Sequence, residues 1–301
     1  MKITVAICTW NRSKLLKQTL ERMCGLACLS NIDWELLVVN NSCNDDTDEI
    51  VDTLTANLPI RLIHEPIPGL SNARNKAVDK AKGDYIVWTD DDVLVDKNWL
   101  VAYVNAFIKY PEAAVFGGPI EPCFEGVPPD WLINNLSCFT HAYAMRDFGD
   151  KYIPLQVEEN RLPYGANFAI RMSEQSRFLY NPEFGLKKTA IKLDEERQVI
   201  KSLLEQHFPG WWVPEARVKH WLPQSRQTLD YLKRYYFGVG RTLKMYSHLE
   251  KCPQILGHSR GLIMQAIKVP FAYLYKKNFF SEKEKFESFT RMWTTWGQLF
   301  G

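Results

Sequence analysis

Three successive carboxylates, Asp90, Asp91 and Asp92, follow the apolar run Ile86-Val87-Trp88. Carboxylates this close repel, and at least one keeps its proton unless a cation joins them. A hard divalent ion suits the task, because Mg²⁺ and Mn²⁺ prefer oxygen ligands and leave positions open for phosphate oxygens. Held there, such an ion is a Lewis acid toward negative charge developing on a departing diphosphate. For a lone triplet the competing reading is a solvated acidic turn that binds nothing. A second acidic pair, Glu195-Glu196, lies early in "LDEERQVIKSLLEQHF" (193–208), which reads as an amphipathic helix. Acids in a first helical turn complement the helix dipole whatever else they do.

The elements that would position these groups alternate. Ile3–Cys8 reads as a buried strand, and "TWNRSKLLKQTLERM" follows with Leu15, Leu16, Leu20 and Met23 at helical spacing. "WELLVVNNS" (34–42) is a second strand, "DDTDEIVDTLTANL" a helix and "IRLIHEP" (60–66) a third strand. "GLSNARNKAVDKAKG" (69–83) is a helix, "DYIVWTDDD" (84–92) the fourth strand, and "NWLVAYVNAFIKYP" a helix that Pro111 ends. Strands that are apolar throughout, alternating with helices, predict a mostly parallel sheet covered on both faces. Ligands then bind beyond the carboxyl ends of the strands. Three of those ends, "CTWNR", "NNSCND" and "TDDD", are polar. Residues 112–163 read as irregular, "PYGANFAIR" (163–171) as a turn entering a strand, and "WWVPEARVKHW" (211–221) as strand-like. From about residue 226 the chain reads as helical.

The 301 residues suffice for one large domain with an appendage, and 46% apolar with 24% charged content is ordinary for a globular protein. The division expected is a catalytic domain over 1–225, with 226–301 as a basic, aromatic, helical region. No apolar run approaches the roughly 20 residues needed to cross a bilayer. "MKITVAICTW" reads as a strand, not an export signal, and the seven scattered cysteines suggest reduced thiols in the cytoplasm. Cys24 and Cys28 have no second pair to complete a four-ligand zinc site. The net charge of +2 hides a polarity: residues 226–301 hold 13 Lys and Arg against 5 Asp and Glu, a net +8, which leaves −6 on residues 1–225.

Seven segments then occur in one order: "VAICTWNR", "WELLVVNNSCNDDT", "GLSNARNKA", "GDYIVWTDDDVLVDKNWL", "YGANFAIR", "DEERQV" and "WWVPEARVKHW". Together, over roughly residues 1–240, they resemble the family 2 glycosyltransferases, inverting enzymes of the GT-A fold. That fold is an α/β architecture with a Rossmann-like sheet. The resemblance implies that Thr9, with Asn11 and Arg12 beyond it, and the polar strand end Asn40-Asn41 cradle a nucleotide base. Relatives often carry Asp at 40–41, so the base itself stays open. Arg74 matches an arginine near the base and diphosphate, a task that suits a guanidinium. The family's D-x-D motif falls on Asp90-Asp91-Asp92. Asp92 matches the principal metal ligand, Asp91 a residue near sugar or ribose, and Asp90 supports either. His220 matches a histidine that completes the metal shell in some members; a core histidine is the other reading. The base of an inverting transfer lies in an acidic pair at a helix start, here Glu195-Glu196, with spacing favouring Glu196. Asp194 stands where relatives usually have Gly. Gly165 and Asn167 resemble a turn lining the sugar pocket, and residues 1–118 match the donor part, 119–225 the acceptor part.

The implied activity is transfer from a nucleotide-diphosphate sugar, UDP-sugar favoured, to a saccharide or lipid-linked saccharide, with Mn²⁺ or Mg²⁺. Such proteins build cell-surface polysaccharide or glycolipid. A nucleotidyltransferase would want a Gly-rich loop after the first strand, which "CTWNRSK" does not offer. A non-catalytic membrane scaffold is opposed by the intact acidic groups. Trp131, Tyr143, Tyr164, Trp211 and Trp212 suit an acceptor sugar or plain core equally. The basic tail interleaves its charges with "LIMQAIKVPFAYLY" and "FTRMWTTWGQLF", a pattern that suits a membrane surface better than nucleic acid, with a helical appendage packed on the catalytic domain as the other reading. No nucleic-acid partner is expected, and the protein is placed in the cytoplasm, peripheral to the inner face of the membrane.

Overall fold

Strand β1 (Lys2–Thr9) shows why the apolar runs carry no alternation. Ile3, Val5 and Ile7 point into one core with Leu16, Leu20 and Met23 of helix α1 (Ser13–Met23). Ala6 points into another with Ala73 and Ala77 of α3 (Leu70–Lys80). Both faces are covered, so the strand interior is apolar on both sides apart from Thr4, whose Oγ1 donates to Glu35 Oε1 at 2.8 Å. The structure, a computed structural model, describes residues 1–27, 32–182, 185–187, 190–192, 195–247, 254–255 and 258–301.

Strands β2 (Asp33–Asn40), β3 (Ile60–His64) and β4 (Tyr85–Asp90) join β1 as a parallel sheet in the order β3-β2-β1-β4. Helix α2 (Thr47–Leu54) connects β2 to β3, and α3 connects β3 to β4. After the short β5 (Val93–Val95) and α4 (Trp99–Lys109) come β6 (Val115–Gly117) and β7 (Ile120–Phe124). Strand β8 (Asn167–Arg171) lies antiparallel between β4 and β6. Beyond α6 (Met172–Gln175) are the short strands β9 (Gly185–Lys187) and β10 (Ala190–Lys192), then α7 (Glu195–Glu205). The 211–221 run divides in two. Strand β11 (Gly210–Trp212) closes the seven-stranded sheet beside β6, and β12 (Val218–Leu222) runs antiparallel to β5 in a second sheet. Pro214, which has no N–H to give a ladder, separates them.

The chain forms two compact units. The first holds residues 1–123, 144–187 and 194–221, the second 124–143, 188–193 and 222–301. Residues 124–143 therefore leave the stretch expected to be continuous catalytic domain. The second unit is built on α8 (Leu229–Ser247), α9 (Arg260–Phe279) and α10 (Glu282–Phe300), with the short α5 (Asp130–Ile133). Ser281 caps α10: its Oγ accepts the Glu284 N–H while the Glu284 carboxylate accepts the Ser281 N–H. Gly240 and Gly297 let α8 and α10 touch, since a Cβ on Gly240 would lie 2.0 Å from the Thr294 carbonyl oxygen. Trp131 and Phe139 pack their rings on Phe286 at 5.6 and 5.3 Å.

Candidate active site

Parallel register brings three strand ends together. Thr9 pairs with Asn40, and Cys8 pairs with Asp90. Asp91 and Asp92 follow in the turn between β4 and β5 and are 3% and 4% exposed. A buried carboxylate is costly unless it is paired and hydrogen-bonded. Here Thr9 Oγ1 donates to Asp91 Oδ2 at 2.8 Å, and Arg12 Nη1 donates to Asp91 Oδ1 at 2.8 Å and Asp92 Oδ2 at 3.0 Å. The backbone is held as well. Thr19 Oγ1 donates to the Asp91 carbonyl at 2.9 Å, and the Trp221 N–H donates to the Asp92 carbonyl at 2.8 Å. Pairing of His220 with Val93 across β12 and β5 sets His220 Nε2 3.5 Å from Asp92 Oδ1. Burial pushes the Asp91 carboxyl up to about 6, Arg12 opposing and Asp92 adding. Asp90 is also raised, by burial first, with Arg74 opposing and Asp92 adding. Burial works against the Arg12 charge, but Asp91 and Asp92 outweigh it and hold the guanidinium protonated.

The second half of the site gathers around Arg74, beside the central strands β4 and β8. Arg74 of α3 is buried, and its Nη1 donates to Glu195 Oε1 at 3.1 Å and to Glu196 Oε2 at 3.3 Å. Its guanidinium lies over the rings of Trp88, Phe168 and Tyr180 at 5.8, 5.9 and 5.4 Å. The Gly165 N–H donates to Glu196 Oε1 at 3.2 Å. A Cβ at 165 would stand 2.7 Å from Arg74 Nη2 and 3.0 Å from Glu196 Oε1, so glycine lets backbone, guanidinium and carboxylate meet without either side chain shifting. The adjacent acids differ. Burial and the Glu196 charge push Glu195 up to about 8 against the pull of Arg74, while the Glu196 side chain is 15% exposed. Near neutral pH Glu195 keeps its proton.

Other expected ligands are committed elsewhere. Asn167 is fully buried; its Oδ1 accepts from Trp99 Nε1 (2.9 Å) and Tyr103 OH (2.8 Å), and its Nδ2 donates to the carbonyls of Pro119 (3.0 Å) and Ala216 (2.7 Å). No hydrogen-bonding capacity is left for a sugar, which corrects the expectation for this residue. Asn41 donates to the Glu65 and Ile67 carbonyls and accepts from the Gly69 N–H, so its amide ties down the loop before α3 instead of facing a base. Asn40 is engaged with Asp48 (2.6 Å) and the Cys43 N–H (2.7 Å). Asn11 takes φ 52° and accepts from the Asn44 N–H at 2.8 Å, lacing two strand-end loops together. The aromatic residues offered for an acceptor also pack internally: Tyr143 and Trp212 are fully buried, Trp211 stacks on Tyr110, Tyr164 lies under Arg146, and Trp131 meets Phe286. Asp194 lies outside the described residues. The residues that sequence reading passed over are Thr19 and the Trp88, Phe168 and Tyr180 box around Arg74. Their only sequence signal was membership of apolar or helical runs.

Among the described residues no three His, Cys, Asp or Glu side chains converge on one metal position. Asp92 and His220 nonetheless fit a partial shell, since neighbouring ligands of an octahedral ion at about 2.1 Å stand roughly 3 Å apart. A carboxylate and an imidazole without thiolate suit Mn²⁺ or Mg²⁺, which take further oxygens from substrate and water.

The fold and site define the GT-A class of glycosyltransferase. The mannosyltransferase PcManGT from Pyrobaculum calidifontis, solved with GDP-Man and Mn²⁺, superposes with a TM-score of 0.63 at 15% identity, covering 99% of this chain and 87% of that one. TarS 1–349 from S. aureus does so at 0.54 and 12% identity, over 97% and 90%. The succinoglycan biosynthesis protein ExoM of Rhizobium meliloti is 24% identical over 250 residues, 80% of this chain and 74% of ExoM. The model of glycosyl transferase family 2 matches residues 4–173, and the chain belongs to that family. It is a sugar-transferring enzyme, and the nucleotidyltransferase and scaffold readings fall away.

Proposed function

We propose that the protein transfers a sugar from a nucleotide-diphosphate sugar, UDP-sugar favoured, to a hydroxyl of a saccharide or lipid-linked saccharide, inverting the anomeric carbon in a single displacement. One observation carries the reading: the Glu196 carboxylate is held by the Gly165 N–H and by Arg74, which also binds the adjacent, buried Glu195. The attacking hydroxyl must lose a proton as its oxygen closes on the anomeric carbon. Glu196 Oε1 receives it. Glu195, neutral and buried, holds Arg74 in place without competing for the proton, so environment divides two identical groups between two roles. Arg12 and Arg74 supply positive charge toward the diphosphate. Thr9, Asn11, Asn40 and Asn41 shape the strand-end loops around the base, the asparagines through the loop bonds described, and Asp91 faces ribose or sugar. Asp92 and His220, with Asp90 beside them, would hold Mn²⁺ or Mg²⁺, which when bound stabilises charge on the leaving diphosphate.

Support for the donor class comes from the GDP-Man and Mn²⁺ of PcManGT and the UDP bound to TarS. The name of ExoM supports a role in building a cell-surface polysaccharide. The donor part is assigned to residues 1–118 and the acceptor part to residues 119–225. A lipid-linked acceptor would place the enzyme at the inner face of the membrane.

The test is thermal stabilisation by UDP, GDP and dTDP, each with and without Mn²⁺, in the native protein, Asp92→Asn and Glu196→Gln. One nucleotide should raise the Tm in a metal-dependent way that Asp92→Asn loses and Glu196→Gln retains. With the matching sugar donor, Glu196→Gln should lower kcat by about 10²–10⁴-fold. A Glu196→Gln enzyme of near-native kcat would remove Glu196 as the base.

A further inference from the structure

Helix α9 (Arg260–Phe279) has two apolar faces, and among the described residues one of them packs against α10 while the other is exposed. Ala266 and Val269 are buried, and Tyr273 meets Phe289 of α10 with ring centroids 6.0 Å apart. The attachment has a specific pin. Pro270 brings no N–H to the Ala266 carbonyl one turn earlier, and the Trp296 indole of α10 donates to that carbonyl at 3.3 Å. The other side carries Met264, Ile267, Phe271, Tyr275 and Phe279, spaced three and four apart and exposed, Phe271 by 69% and Phe279 by 73%. Single exposed apolar residues are ordinary, whereas a contiguous stripe of this length marks a docking surface.

Charge decides what docks. Residues 260–280 contain Arg260, Lys268, Lys276 and Lys277 and no Asp or Glu. Arg260 and Lys268 are exposed, and Lys276 Nζ lies 5.9 Å over the Phe280 ring. A second copy would set these cations against their own equivalents with no acid to pair them. No helix among the described residues is long and apolar enough to cross a membrane. A basic helix with one free apolar, aromatic face instead lies in the plane of an anionic bilayer surface, apolar side chains in the acyl boundary and lysines at the headgroups.

We propose that the outward face of α9, from Met264 to Phe279, docks on an anionic lipid bilayer. The claim needs no donor, metal or turnover, so it stands or falls apart from the transfer reaction. The test is co-sedimentation of the full chain with vesicles of phosphatidylcholine alone and of phosphatidylcholine with phosphatidylglycerol. The native protein should bind the anionic vesicles at least about tenfold more tightly than the neutral ones, and added salt should weaken the binding. Phe271→Glu/Tyr275→Glu should lower binding by more than tenfold at an unchanged Tm. Lys268→Glu/Lys276→Glu should erase the preference for anionic lipid, and it carries the test alone if the apolar replacement lowers the Tm. Absence of anionic vesicle binding, equal binding by both vesicle types, or binding that survives the variants overturns the proposal. So does a dimer in light scattering that Phe271→Glu disperses while vesicles bind nothing.

Discussion

Glu195 and Glu196 are the same residue type one position apart, and their surroundings make them different acids. Glu195 is buried against a neighbouring negative charge, so its folded form holds a proton to about pH 8. An unfolded chain releases that proton near the ordinary carboxyl range, around 4.5. Between those values the unfolded state binds fewer protons than the folded one, and stability falls as pH rises. Glu195→Gln removes this slope. Whatever the offset at pH 5, the Tm of Glu195→Gln should gain on the native Tm steadily up to about pH 8. Parallel Tm curves across that window would show that Glu195 ionises like an exposed acid. The acidic pair itself was legible in the sequence, because a carboxyl doublet at a helix start is conspicuous. The split between its members was not, since it depends on Gly165 and Arg74, which arrive from distant parts of the chain.

Element packing explains the asparagines. An amide at a strand end reads from sequence as a ligand, because nothing nearby in the chain shows what it bonds. Asn167 opens β8, pairs with Thr89 across the sheet, and collects the indole of Trp99, the phenol of Tyr103 and two carbonyls. It fastens β8 to α4 and to the segments after β6 and before β12. Asn167→Leu would leave the Trp99 and Tyr103 donors and the Pro119 and Ala216 carbonyls without this partner in a dry core. Each buried group left unsatisfied costs about 1–3 kcal/mol, so the variant should lose several kcal/mol of unfolding free energy. A urea titration measures it. A change under about 1 kcal/mol would mean that the amide bonds are dispensable. The parallel strands and their crossovers were the most legible elements, because burial on both faces writes an unbroken apolar run. The antiparallel insertion of β8, and the split of 211–221 between two sheets, depend on partners that no local pattern names.

At the scale of the molecule, the chain does not divide at one point. Residues 124–143 belong with 222–301, and Tyr143 stacks on Tyr231 as Phe139 and Trp131 pack on Phe286. A chain stopped at residue 225 would therefore expose Trp131, Phe139 and Tyr143 together. It should precipitate on concentration and melt without a sharp transition, whereas the full chain should do neither. A 1–225 chain that stays in solution and melts sharply would restore the simple boundary that composition suggested. Composition located the helical, basic region correctly. It missed the loan of an earlier segment because 124–143, with its Pro and Gly, carries no periodic pattern to betray a core role.

The same loan sets a timetable. Phe139 leaves the ribosome long before Phe286, and the intervening chain takes on the order of ten seconds to synthesise at roughly 5–20 residues per second. Through that interval an aromatic stretch in the middle of the protein has no native partner. The first unit can close around its sheet early, but the second completes only once α10 has been made. Helix α10 thus decides whether the newborn chain buries its middle or offers it to chaperones and aggregates.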